Sequence, residues 1–137
     1  MIGCFLENFM KYFYIAIGGA IGSLSRYLLS TFTMRLFNTL FPLGTLIVNI
    51  TGCFLIGFLF SFFEKFIMSP NIRFFVFVGL LGGFTTFSSF TMETFNLLRE
   101  KEIKLAILNF IFNNFLGIIA VIIGFIFARL LLKLIIK

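Results

Sequence analysis

The feature that most constrains this chain is a series of four long apolar blocks separated by short polar connections. A helix that crosses the hydrocarbon core of a bilayer needs about 20 mostly apolar residues. Each block reaches that length, and the second and fourth contain no charged residue. We therefore predict an all-α integral membrane protein that forms a single transmembrane domain over residues 1–137. The four predicted spans are residues 12–31, 41–63, 74–98 and 105–128.

Composition agrees with a membrane protein and excludes much chemistry. Of the 137 residues 61% are hydrophobic and 12% are charged, whereas a soluble domain carries roughly 25% charged residues. The chain has no His, and all five of its acidic residues are Glu. This excludes Ser-His-Asp triads and His-based acid–base catalysis, and it argues against EF-hands and most zinc sites. We do not expect an enzyme.

The basic residues lie between the apolar blocks and form no cluster, so we expect contact with membrane lipid and none with nucleic acid. An excess of Lys and Arg on one side sets the orientation of most membrane proteins. With four spans, six basic residues share one face with both termini, against four on the other face. This weak bias leaves open a fixed orientation with the N-terminus inside and a dual topology in which chains insert both ways and pair antiparallel. The six are Lys11, Lys65, Arg73, Arg129, Lys133 and Lys137, and the four are Arg35, Arg99, Lys101 and Lys104.

Polar side chains inside the second and fourth blocks fall on helical stripes. Thr45 and Asn49 are four residues apart, as are Asn109 and Asn113, with Gly117 one turn further. Polar residues inside a membrane helix are costly and often functional. These residues have two interpretations, hydrogen bonds between helices or donors along a polar path, and for the fourth block we favour the polar path.

The third block contains GLLGGFTTFSSFTMET, residues 79–94. Gly82-Gly83 followed by Thr85-Thr86 is unfavourable for a continuous helix, so we predict a break there. Freed backbone groups are tolerated at membrane depth only where protein or a cavity covers them. Freed carbonyls suit a hard cation such as Na⁺, and freed N–H groups suit an anion.

Two aromatic and two charged residues complete the set of candidates. Phe87 and Phe90 share one helix face, where their electropositive ring edges suit an anion path, although lipid-facing bulk is the alternative. Arg26 in the first block either extends to the membrane surface or makes a positive entrance. Glu93 in the third block is either a proton carrier or a helix-end residue that caps the helix or pairs with Arg26 or a loop cation.

Three segments together resemble the signature segments of the Fluc (CrcB) fluoride channels. They are GGAIGSLSRY at residues 18–27, GTLIVNITGCFLIGF at 44–58 and GLLGGFTTFSSFTMET at 79–94. The resemblance covers nearly the whole chain. It implies a passive, fluoride-selective channel in the bacterial cell membrane that exports fluoride from the cytoplasm. It also implies a broken third span and an antiparallel, dual-topology homodimer with two pores.

The resemblance assigns roles to individual residues. It implies that Arg26 lies at a vestibule, that Glu93 is an accessory residue, and that the backbone carbonyls of Gly82 and Thr85 hold a structural Na⁺ at the dimer centre. In the fourth span the chain has amides where the family has hydroxyls, and Ser89 stands where Thr is commoner. The implied fluoride pore consists of Asn49, Phe87, Phe90, Thr86, Ser88, Ser89, Asn109, Asn113 and Thr45.

Two other functions remain to be weighed. A small multidrug-type, proton-coupled transporter would also be a four-span, dual-topology dimer, but such transporters use a Glu deep in the first span. Residues 12–31 contain no acidic residue. A structural membrane subunit without transport activity would not account for the predicted break or for the two polar stripes.

Overall fold

The computed structural model describes residues 2–135, with side chains from Asn8 onward, and helices make up nearly all of that range. The predicted all-α class with four helices is confirmed, and the third helix is divided into several pieces. The elements are α1 (Ile2–Phe37), α2 (Leu43–Lys65), α3 (Pro70–Arg73), a π-helical segment (Phe74–Leu81), α4 (Gly82–Phe84), α5 (Phe87–Arg99) and α6 (Ile103–Ile135).

Three helical stretches within the described residues are long and apolar enough to cross a membrane: Leu43–Lys65, Pro70–Arg99 and Ile103–Ile135. The first helix, α1, has 36 residues, which corresponds to about 54 Å at 1.5 Å per residue. It is not among these three, and its central part contains Gly18, Gly19, Gly22, Ser23 and Arg26, which lower its hydropathy.

Local sequence signals explain where α1 ends and where α3 begins. Asn38 follows α1 with a φ of 38° and donates its N–H to Met34 O at 3.0 Å, the left-handed C-terminal geometry that Asn tolerates. The α3 helix begins with Ser69, whose hydroxyl accepts from Ile72 N at 3.4 Å, and with Pro70 at its first position. Both residues are favoured at helix N-termini.

The α2 helix packs along α6, and an aromatic cluster forms part of the contact. The Phe127 ring of α6 lies 6.2 Å from the Phe54 ring and 6.0 Å from the Phe58 ring. Near the end of the same contact, Arg129 and Glu64 form an ion pair of 3.7 Å. This pairing of α2 with α6 brings together the two polar stripes predicted from the sequence.

The α1 helix packs along the π-helical segment through glycines that let the two backbones approach closely. A Cβ atom at Gly18 would lie 2.5 Å from Phe75 O, and one at Gly79 would lie 2.7 Å from Ile15 O. Neither position has room for a side chain. Small residues serve this purpose in membrane helix pairs.

The break in the third helix is narrower than expected from the sequence. Gly82 has helical dihedral angles, φ −64° and ψ −36°, and Gly83 also lies within α4. The extended backbone of the break lies at Thr85 and Thr86, with ψ of 153° and 116°. The predicted break is therefore present, but it lies at the threonines and leaves the two glycines helical. A glycine costs a helix only about 1 kcal/mol, and Gly83 allows close packing, since a Cβ there would lie 2.7 Å from Gly19 O.

Candidate functional site

The carboxamide of Asn49 closes the break from the neighbouring helix α2. Its Oδ1 accepts the Thr86 N–H at 2.9 Å, and its Nδ2 donates to Thr86 O at 3.2 Å. Thr86 is buried, so a backbone group left without a partner there would be costly. In a continuous helix the Thr86 N–H would bond to Gly82 O. The side chain of Asn49 thus replaces the helical hydrogen-bond acceptor that the Thr86 N–H lacks at the break.

The hydroxyl of Thr86 caps the N-terminus of α5. Its Oγ1 accepts the Ser89 N–H at 3.2 Å, a standard N-cap. The same oxygen lies 3.0 Å from the Ser89 hydroxyl and 3.3 Å from the Ser88 hydroxyl. Four of the predicted site residues, Asn49, Thr86, Ser88 and Ser89, therefore meet at one helix N-terminus.

Backbone carbonyls at the break lose their usual helical donors, and those of Gly82 and Thr85 are two of them. The Thr86 N–H, which would bond to Gly82 O, goes to Asn49, and the Ser89 N–H, which would bond to Thr85 O, goes to the Thr86 side chain. Residues 8–135 contain no group of three or more His, Cys, Asp or Glu that could hold a metal ion. A cation at this place would rely on carbonyl oxygens, the role that the family resemblance implies for Gly82 and Thr85.

The amides of α2 and α6 form one hydrogen-bonded row. Asn49 Nδ2 donates to Asn113 Oδ1 at 2.9 Å, and Asn113 Nδ2 donates to Asn109 Oδ1 at 2.9 Å and to Asn109 O at 3.1 Å. Asn109 Nδ2 then donates to the Thr94 hydroxyl at 2.9 Å. Asn109 has no exposed surface. The two stripes predicted separately are thus a single polar row.

Thr94 is a member of this row that sequence reasoning missed. It lies on α5 one turn after Phe90, and its hydroxyl donates back to Phe90 O at 2.8 Å. A signal existed, since Phe90 and Thr94 are four residues apart and share a helix face. Threonine often bonds to the carbonyl four residues before it, so its second role, as an acceptor for Asn109, is not readable from spacing.

The rings of Phe87 and Phe90 face each other edge to face in very different surroundings. Their centroids are 5.4 Å apart and their planes form an angle of 65°. Phe90 is 4% exposed and Phe87 is 76% exposed. Both line a cavity of about 310 Å³, whose polar wall consists of Asn49, Thr85, Thr86, Asn113 and Asn114.

A second cavity, of about 270 Å³, contains Thr45 and Glu93 together with Ser30 and Asn96. The Thr45 hydroxyl donates to Glu93 Oε1 at 2.5 Å. The other carboxylate oxygen of Glu93 is buried and has no hydrogen-bond partner among the described residues. The suggested pairing of Glu93 with Arg26 or with a loop cation is not formed, because the nearby donor is the neutral hydroxyl of α2.

The structure does not place Arg26 at either of the two cavities. It lies half-buried on α1, it lines neither of the two cavities, and within residues 8–135 it has no ion pair. Its predicted place at a vestibule stays a prediction.

Comparison with known proteins gives one consistent result. Residues 13–125 match the family model described as CrcB-like protein, Camphor Resistance (CrcB). The chain is 48% identical over 126 residues to a fluoride-specific ion channel FluC of Parabacteroides distasonis, covering 92% of this chain and 98% of the relative. It is 45% identical over 122 residues to one of Desulforapulum autotrophicum, covering 88% and 98%. The identity with one of Aquifex aeolicus is 44% over 115 residues, covering 83% and 93%.

Proposed function

We propose that this chain, which belongs to the CrcB family, is a passive channel that passes fluoride across the membrane and excludes larger anions. Its relatives of similar length are fluoride-specific ion channels, and the chain is a multi-pass membrane protein and not an enzyme. Export of fluoride from the cytoplasm requires no coupling, since the membrane potential, negative inside, drives an anion outward.

The observation that carries this proposal is the cavity beside the broken third helix. Its wall combines amide and hydroxyl groups with the rings of Phe87 and Phe90. A conducting pore must replace the water around an ion without binding the ion too tightly. Compact neutral groups such as the Thr86 hydroxyl and electropositive ring edges meet this requirement, whereas a buried lysine would trap the ion. The hydroxyls of Ser88 and Ser89 are hydrogen-bonded to Thr86 and complete the proposed set of donors.

The residues beyond this cavity take accessory roles in the proposal. Thr45 and Glu93, hydrogen-bonded in the second cavity, would form one end of the path, and Arg26 would concentrate anions at its entrance. On α6, Asn113 is part of the polar wall of the first cavity, and Asn109, one turn before it, accepts a hydrogen bond from the Asn113 side chain.

A structural Na⁺ fits the carbonyls at the break. Gly82 O and Thr85 O have lost their helical donors to Asn49 and Thr86, and carbonyl oxygens are ligands for hard cations. Two oxygens from one chain are too few for such an ion. An antiparallel homodimer that brings two breaks together would supply four, with the ion holding the two chains in place while fluoride passes through two separate pores.

The small multidrug-type transporter is the weaker candidate. It would place its essential carboxylate in the first span, and residues 12–31 have none. Glu93, the acidic residue within the third span, bonds to a hydroxyl of α2.

Fluoride efflux from liposomes tests the function directly. Purified protein is reconstituted into vesicles loaded with potassium fluoride, and valinomycin starts efflux with equal pH on both sides. We expect rapid fluoride efflux at a fluoride electrode and no chloride efflux from matched vesicles loaded with potassium chloride. Equal chloride flux, or fluoride flux that needs a pH gradient, would reject the passive selective channel.

A further inference from the structure

The hydrogen-bonded row that runs through α2 and α6 starts and finishes on α5. It begins at the Thr86 N–H, which donates to Asn49, and it ends at Phe90 O, which accepts from the Thr94 hydroxyl. Between these ends it passes through Asn49, Asn113 and Asn109. The two ends bracket the single turn of α5 that carries Phe87 and Phe90. The row therefore fastens this turn to both neighbouring helices.

The direction of the row is fixed at its start. A backbone N–H can only donate, so Thr86 requires the oxygen of Asn49 to face it. The amide nitrogen of Asn49 must then face Asn113, and the same orientation passes on to Asn109. Both N–H bonds of Asn49 are engaged, with Thr86 O and Asn113 Oδ1. Both N–H bonds of Asn113 are engaged as well, with the two oxygens of Asn109.

The far half of the row is separated from the space available to an ion. Asn109 has no exposed surface, and neither Asn109 nor Thr94 is among the described residues that line the cavity of about 310 Å³. Any effect of these two residues on an ion in that cavity must pass through Asn113 and Asn49 or through the turn with the two rings.

We propose that Asn109 and Thr94 are positioning residues, which hold the Asn49 carboxamide and the ring-bearing turn in the conducting arrangement without touching the ion. This inference rests on the proposed channel function. It changes the role implied for Asn109, from a donor in the pore to a support behind it. It adds Thr94, a residue with no role in the sequence-based prediction.

Two threonines on α5 provide a matched test. Thr94→Val keeps the shape of the side chain but removes the acceptor of the fully buried Asn109 amide. Thr91→Val is the control, because the Thr91 hydroxyl bonds to Phe87 O at 2.9 Å within its own helix and, among the described residues, to nothing in the row. Thr94→Ser restores the hydroxyl. Fluoride efflux from liposomes and the melting temperature in detergent are measured for wild type and the three variants.

We expect Thr94→Val to lower fluoride efflux about tenfold, the size of effect that follows from leaving one buried donor unpaired. Thr94→Ser should restore most of the flux, and Thr91→Val should conduct like wild type. Wild-type flux in Thr94→Val, or no rescue by Thr94→Ser, would overturn the positioning role, as would an equal loss in Thr91→Val. A wild type without fluoride flux would reject the channel instead. In that case the melting temperatures test the hydrogen-bonded row by themselves. If the row is correct, Thr94→Val melts at a lower temperature than Thr91→Val.

Discussion

Phe87 and Phe90 are neighbours on one turn, yet this chain surrounds only one of them. Phe90 is nearly buried, and its ring centroid lies 6.3 Å from that of Phe110 on α6. Phe87 contacts Phe90 edge to face and is otherwise mostly exposed. A change at Phe90 therefore mixes folding with transport, while a change at Phe87 reports mainly on what the ring does at the cavity.

Phe87→Ile should greatly reduce fluoride efflux with little change in stability. The substitution removes the electropositive ring edge but keeps an apolar side chain, and little of the ring is packed in this chain. Phe115→Ile on α6 is the matched control, because that ring is also exposed, at 63%, and does not line the cavity. Efflux is measured in liposomes and stability by thermal melting in detergent. Normal conduction by Phe87→Ile would assign the ring to packing alone.

The sequence predicts the helices far better than it predicts the details of the third one. Blocks of apolar residues and the Gly-Gly, Thr-Thr sequence are enough to predict four helices and a break. The π-helical winding of Phe74–Leu81 is not predictable in this way, because a uniformly apolar segment has no periodicity that distinguishes one helical register from another.

The candidate site likewise combines features that the sequence predicts with features that it does not. Spacing predicts the stripes of α2 and of α6, since residues four apart share a face. It does not predict that the two stripes bond to each other, or that Asn49 also closes the break. Those contacts depend on how α2 packs against both neighbours, which is a tertiary property. Thr94 was missed for this reason.

Adjacent glycines on α1 test the close packing of this helix against the π-helical segment. Gly18→Ala should destabilise the protein by about 1–3 kcal/mol, the usual cost of overpacking, because the new Cβ would overlap the backbone at Phe75 and Leu80. Gly19→Ala should be neutral or stabilising by up to about 1 kcal/mol, since alanine is the better helix former and its Cβ would lie 4.0 Å from the nearest atom, Gly79 O. Melting temperatures that rank the two variants in the reverse order would contradict the packing described here.

Taken as a whole molecule, the chain exposes groups that a single copy does not cover. Phe87 is largely exposed, and Gly82 lies exposed beside the break. Large apolar exposure is expected of a protein surrounded by lipid, but backbone carbonyls without their helical donors are costly at membrane depth. In the proposed antiparallel dimer, a cation between the two breaks would satisfy these carbonyls.

A substitution at Gly82 can distinguish an effect on the fold of one chain from an effect on the proposed site between two chains. A Cβ there would meet only Phe77 O, at 3.7 Å, so a single chain has room for a side chain and should stay helical. If Gly82 O binds Na⁺ at the dimer centre, Gly82→Val should disturb the site by crowding it from both copies. We expect the wild-type dimer fraction and fluoride efflux to fall when Na⁺ is replaced by N-methylglucamine. The dimer fraction and the fluoride efflux of Gly82→Val should be low in both salts, while its helical content, measured by circular dichroism, should not change. A wild type that stays fully dimeric and active after exhaustive removal of Na⁺ would reject the cation site, and normal behaviour of Gly82→Val would remove Gly82 from it.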